Sequence, residues 1–159
     1  MLHINILCVG KIKESFLKDA ISEYKKRLCK YCQLDIIELP DKNIPEKLNS
    51  SMITQVKDIE SSEIISHLPK DSYKFCLDLT GKQFTSEEFA DKICNISLIS
   101  SSITFIIGGS LGMNDYLKQL CDEKICFSKM TFPHQLIRVF LLEQIFRAFK
   151  INNNEKYHH

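Results

Sequence analysis

Three short stretches bring together residue types suited to holding a small ligand: Leu77 to Gly81 (LDLTG), Gly108 to Gly112 (GGSLG) and Phe127 to Phe132 (FSKMTF). Each closes or follows an apolar run that reads as a strand. In a parallel α/β sheet, ligands gather beyond the carboxyl ends of strands, so the three stretches can meet in one cleft. The glycine stretch has neither the GK[ST] of a phosphate loop nor the GxGxxG of a dinucleotide fold. Its glycines either serve a tight turn or let backbone N–H and C=O groups approach a ligand closely, as an adenine or ribose would require. His134, at a helix start, is either a structural hydrogen-bonder or a site residue. Arg138 and Arg147 lie on an apolar helix, and a buried guanidinium demands an anion. Glu143 serves only one of them cheaply, so the pair reads as salt bridges or, more sharply, as a phosphate contact from at least one. Asp78 reads as a solvated strand residue, with a ligand-site acid as the alternative. The final Tyr157-His158-His159 is either a frayed end or a lid that stacks on a base and handles protons.

The segments that must position these residues alternate strand and helix. Leu2 to Val9 reads as a strand ended by Gly10, Lys13 to Leu28 as an amphipathic helix, and Gln33 to Leu39 as a second strand. Residues 51–68 fit a helix with Met52, Val56, Ile59 and Ile64 on its apolar face. Tyr73 to Leu79 alternates as a third strand, turned by Thr80-Gly81-Lys82. Thr85-Ser86-Glu87-Glu88 has the form of a capping box and opens a helix that runs to about Leu98. Ser102 to Ile107 is nearly all apolar and therefore central. A short helix near Asp115 to Leu120 and a strand over Ile125 to Phe127 follow. Pro133 sits in the first turn of a last helix, His134 to Lys150. That helix is apolar on more than one stripe, so it needs cover on two sides: one can face the chain's own sheet, and the other could face a partner chain. The whole reads as one α/β domain over residues 1–159, a mainly parallel sheet flanked by helices.

Composition narrows the class. With 44% hydrophobic and 26% charged residues the chain is an ordinary globular domain, long enough to build a core without disulfides. It has no run of eighteen apolar residues, and Met1 leads straight into a strand pattern, which speaks against a membrane span and a signal peptide. Net charge is +1, yet residues 118–159 carry 7 Lys/Arg against 4 Asp/Glu, a mild bias that suits a phosphate-bearing partner. Seven cysteines, an odd count, read as reduced thiols. Cys29-Lys30-Tyr31-Cys32 follows a helix rather than opening one, so it lacks the dipole that activates a redox CxxC. Cys121 and Cys126 have the wrong spacing for a zinc knuckle.

The string FSKMTFPHQ at 127–135, with Arg138-Val139, Glu143-Gln144, Arg147-Ala148 and the terminal Tyr157-His158, resembles the small SPOUT-class methyltransferases of the bacterial large ribosomal subunit. Val9-Gly10-Lys11, Tyr24 to Arg27, Asp35 to Glu38, Leu77 to Gly81 and Ile107 to Ser110 fit as well, so the resemblance covers essentially the whole chain. It implies methylation at N3 of a pseudouridine in 23S rRNA and a SPOUT fold with a C-terminal trefoil knot. It also implies a homodimer and a cytoplasmic enzyme with no membrane and no metal. S-adenosylmethionine would be held by Leu77, Gly108, Phe127, Ser128, Lys129, Met130, Thr131 and Phe132. Tyr157 and His158, from the partner subunit, would complete the substrate site with His134 and Arg147 in support. His158 is the candidate general base, and Tyr157 positions the substrate base. Where relatives often carry Lys or Arg after the Tyr-His pair, this chain has His159. The mild charge points to the assembled ribosome rather than free RNA as substrate. The rival readings are a non-catalytic ribosome-assembly factor, or a SPOUT enzyme for another RNA such as tRNA.

Overall fold

A computed structural model describes residues 1–157. The elements run β1 (Leu2–Val9), α1 (Ser15–Leu28), β2 (Cys32–Leu39), α2 (Ser50–Ser66), β3 (Tyr73–Lys82), α3 (Ser86–Ser97), β4 (Ser102–Ile107), α4 (Asp115–Leu120), β5 (Glu123–Ile125) and α5 (His134–Asn152). Five strands form one sheet in the order β2-β1-β4-β3-β5, and every adjacent pair is parallel. β1 and β4 are interior strands, buried on both faces from Ile4 to Val9 and from Ile103 to Ile107, and these runs are apolar except at Asn5 and Thr104, which are buried as well. These two polar residues sit in a hydroxyl and amide cluster with Ser72 and Ser102.

The two faces are unequal. Ile4, Ile6, Phe75, Ile103 and Phe105 face a large core completed by α1, α3 and α5. Leu7, Val9, Cys76 and Ile106 face a smaller one, closed by Ile64 of α2, Leu117 of α4 and Met113. α3 starts as its sequence dictates: Thr85 Oγ1 accepts from the Glu88 amide at 3.1 Å while Glu88 Oε2 accepts from the Thr85 amide at 2.8 Å.

Four expectations are corrected. α2 does not bury Met52 and Ile59, which are exposed; it buries Glu60, Ser61 and Ile64. The polar pair takes the inner face because each has a backbone partner there, the Lys42 amide for Glu60 and the Asn114 amide for Ser61. Thr80-Gly81-Lys82 is not a turn. β3 continues to Lys82 through an irregularity, so that both Leu77 and Lys82 register with Ile125. β5 lies over Glu123–Ile125 rather than Ile125 to Phe127: β3 ends at Lys82, whose carbonyl takes the Cys126 amide at 2.9 Å, and beyond that bond Phe127 has no partner in the β3–β5 ladder. Finally, the second apolar side of α5 is covered mostly within the chain, since the helix packs between α1 and α3. What stays uncovered is its first half, where Phe140 is exposed and meets Phe132 edge-on at 5.2 Å.

β3 and β5, parallel neighbours, approach very closely near Gly81. A Cβ on Gly81 would lie 2.7 Å from the backbone N and C of Ile125, so only glycine fits.

Candidate functional site

The carboxyl ends of β3, β4 and β5 open into a cleft of about 530 Å³. All three stretches expected to meet contribute to its walls, which run over Leu77 to Leu79, Ile107 to Met113, and Ile125 to His134, with Thr80, Gly81 and Lys129 off the lining. Leu77, Gly108, Phe127, Ser128, Met130, Thr131, Phe132 and His134 therefore stand together, while the Lys129 side chain is not on the lining. The chain order explains the gathering. β3 and β4 are parallel neighbours, β5 lies on the other side of β3, and each feeds its following loop to the same end of the sheet.

The glycine loop folds back on itself. The Gly112 amide donates to Gly109 O at 3.0 Å, and Gly112 has φ +86°, in the left-handed region where a side chain is strained. This wall of the cleft carries no side chain at 108 or 109 and presents bare main chain. Opposite it, Ser128 Oγ accepts from the Met130 amide at 3.0 Å, an ST-type turn that shapes the 127–132 loop.

Charge enters the cleft through Asp78 and Lys118, 3.4 Å apart, with Asp78 also accepting from Thr80 Oγ1 at 2.6 Å. Burial pushes the Asp78 carboxyl upward, but the Thr80 hydroxyl and the Lys118 ammonium outweigh it and hold its pKa below the usual value. Asp78 is thus a paired cleft residue, not a solvated one. Lys118 and Lys57 line the cleft too. No spacing rule announces either, since α4 and α2 are brought there only by packing.

His134 begins α5 beside Gly10 and Asp41; a Cβ on Gly10 would lie 3.6 Å from its Nε2. Burial lowers its pKa, the Arg138 cation lowers it further, and Asp41 opposes them, so the ring is neutral at neutral pH. Arg138 itself is a structural cation. It is 1% exposed and donates to Glu38 Oε2 at 3.0 Å, Val9 O at 2.8 Å and Gly10 O at 2.7 Å. No phosphate is needed to balance it.

Arg147 and Tyr157 form a second group on the α1 side of α5. Arg147 Nη2 donates to Glu143 Oε1 at 2.8 Å, and its guanidinium lies 4.0 Å over the Tyr157 ring. The Tyr157 hydroxyl donates to the same carboxylate at 2.5 Å. Burial first, and then the Glu143 carboxylate, raise the Tyr157 pKa, so the phenol keeps its proton. His158 lies outside the described residues. Among the described residues no three His, Cys, Asp or Glu side chains gather as metal ligands, and no helix is long and apolar enough to cross a membrane.

The chain is similar to known proteins in sequence and in fold. The family model described as predicted SPOUT methyltransferase matches residues 2–158. A protein of Clostridium acetobutylicum named ribosomal RNA large subunit methyltransferase H is 50% identical over 158 residues, 99% of each chain. Its counterpart in Clostridium perfringens (strain SM101), named ribosomal RNA large subunit methyltransferase H 1, is 48% identical over the same span and coverage. Among solved structures, a Legionella pneumophila protein described as a methyltransferase and crystallised with bound SAM superposes with TM-score 0.52 at 12% identity, covering 92% of this chain and 66% of its own. With the family model spanning nearly every residue and full-length relatives at half identity, the chain belongs to the SPOUT methyltransferase family.

Proposed function

We propose that the protein transfers a methyl group from S-adenosylmethionine to N3 of a pseudouridine in 23S rRNA, acting on the assembled ribosome. The observation that carries this reading is the cleft in which the ends of three parallel strands meet, in a chain half identical to ribosomal RNA large subunit methyltransferases along its length. The cleft fits the cofactor. Its volume is in the usual range for small-molecule sites, Leu77, Ile107 and Phe127 give it apolar walls, and the glycine loop offers main chain at close quarters. When bound, S-adenosylmethionine supplies an electrophilic methyl group on a sulfonium. Leu77, Gly108 and the loop Phe127 to Phe132 hold it, with Lys129 contributing through its place in that loop.

The remaining task is to remove the proton of a weakly acidic imide and aim its nitrogen. Tyr157 is unsuited as the base because its own hydroxyl stays protonated against Glu143, so it positions the substrate. His158 takes the proton, an imidazole being suited to that work near neutral pH. His134, neutral and on the cleft wall, is placed to hydrogen-bond a ligand there. Arg147 holds the tail and meets RNA.

A homodimer is supported by the exposed Phe132 and Phe140 pair together with Met130 and Phe16, apolar surface that a second copy would cover. A C-terminal trefoil knot goes with membership of the SPOUT family. A net charge of +1 gives little electrostatic grip on free RNA, which favours the folded ribosome, and with it the cytoplasm, as the place of action. The deciding experiment incubates the protein and S-adenosylmethionine with ribosomes that contain or lack the pseudouridine, then maps methyl groups by mass spectrometry. A new methyl on that base, only where it is isomerised, is expected. A methyl on tRNA, or none anywhere, overturns the reading.

A further inference from the structure

Glu143 is a carboxylate on which three donors from three parts of the chain converge. Its Oε2 accepts from Tyr24 Oη of α1, and its Oε1 from Tyr157 Oη, each at 2.5 Å. Arg147 donates to the same Oε1 at 2.8 Å. Tyr157 is consequently gripped on three sides: its hydroxyl by Glu143, its face by the Arg147 guanidinium, and its edge by Phe146 at 5.8 Å between ring centroids. Just before it, Asn154 adopts φ +54° and turns the chain back along α5. There Glu155 accepts from the Tyr31 hydroxyl at 2.9 Å and pairs with Lys150. Ordering a chain end costs conformational entropy, and so many directed contacts on one short segment hold it against that loss.

We propose that Glu143 is a positioning residue for methyl transfer: by fixing Tyr157 on α5 it sets the point from which the terminal imidazole is presented to the substrate. This rests on the function proposed above. It goes further by assigning the task to a side chain that lies outside the cleft lining and never meets the reacting atoms.

The test compares wild type with Glu143→Ala, Glu143→Gln and Tyr24→Phe. The last removes a donor from the same carboxylate without touching the tail, so it controls for helix packing. In Glu143→Ala, calorimetric affinity for S-adenosylmethionine should stay within about twofold. Carboxypeptidase release of the last three residues should quicken about ten- to a hundredfold, the usual worth of a charged hydrogen bond, and kcat on ribosomes should fall by a similar factor. Glu143→Gln, which keeps an acceptor for the phenol, should recover part of both, and Tyr24→Phe should stay near wild type. The inference is overturned if tail release or kcat in Glu143→Ala matches wild type, or if Tyr24→Phe loses as much as Glu143→Ala. A wild-type protein inert on ribosomes would instead remove the functional reading, and the catalytic part of this one with it; the protease rates alone then report whether Glu143 holds the tail.

Discussion

Arg138 and Glu38 stand 100 residues apart in the chain and 3.0 Å apart in the fold, joining the last helix to the edge strand β2. The same guanidinium caps the end of β1 through Val9 O and Gly10 O. Glu38 in turn accepts from the Ile12 amide at 2.7 Å, so one ion pair fixes where the chain leaves the sheet. Removing the cation would leave the Val9 and Gly10 carbonyls unpaired, while Glu38, open to solvent and still accepting from Ile12, would lose only its counter-charge. Arg138→Ala should therefore lower stability by about 2–4 kcal/mol in urea unfolding, mostly from the two unpaired carbonyls. Arg138→Lys should recover little, because a compact ammonium lacks the fork needed to serve three acceptors at once. A loss under about 1 kcal/mol for the alanine variant would contradict a structural role.

His134 makes stability depend on pH with a definite sign. Its imidazole titrates near 6.5 in the unfolded chain and lower in the folded one, because burial and Arg138 disfavour the charged ring. Between those two values the unfolded state binds more protons, so stability rises with pH. The contribution is whole above 6.5 and is lost as pH falls through the folded value. His134→Asn should flatten the pH dependence of the unfolding midpoint below about pH 6.5. An unchanged slope would assign it to other groups.

The cysteines should separate cleanly by reactivity. Cys29 and Cys94 are exposed, whereas Cys8, Cys32, Cys76 and Cys126 are buried. Burial pushes the Cys8 thiol up to about 11 and Cys32 up to about 12. A thiol reagent at pH near 8 should thus label Cys29 and Cys94 in the folded protein and leave Cys32 protonated and protected. Equal rates at Cys29 and Cys32 would revive a redox role for the CxxC.

Gly81→Ala tests the close approach of β3 and β5. The new methyl would meet backbone on every near side, and backbone has no rotamer with which to yield. A loss of about 1–3 kcal/mol is expected from the forced displacement. Because Leu77 and the 125–132 loop are the walls that would move apart, calorimetric affinity for S-adenosylmethionine should fall together with the urea midpoint. Loss of neither would mean that the approach is loose.

Much of this architecture was legible in local patterns. The Thr85 to Glu88 cap, the apolar β4 run and the uninterrupted α5 each follow from rules that act within a few residues. The cleft was legible as well, since consecutive parallel strands must release their loops at the same end. What escaped is what depends on long-range partners. α2 turns Glu60 and Ser61 inward only because the Lys42 and Asn114 amides await them. Similarly, β3 runs past Leu79 because Lys82 finds partners in Ile125 and the Cys126 amide. The anion for Arg138 came from β2, and the cover for α5 from α1 and α3. None of these leaves a trace in spacing, because a carboxylate or amide looks the same in sequence whichever neighbour it meets.

The unequal clothing of the sheet also governs how the molecule comes apart. One face lies under three helices and a deep aromatic core, the other under α2 and the six-residue α4. Transient opening should start on the thin side, so amide deuterium uptake is expected earliest in α2 and α4 and latest in β1 and β4. The glycine loop that walls the cleft is held from that thin side, through Met113 and Leu117. The protein therefore keeps its most easily loosened layer against the place where a ligand must enter and leave, and its rigid layer where the tail is moored.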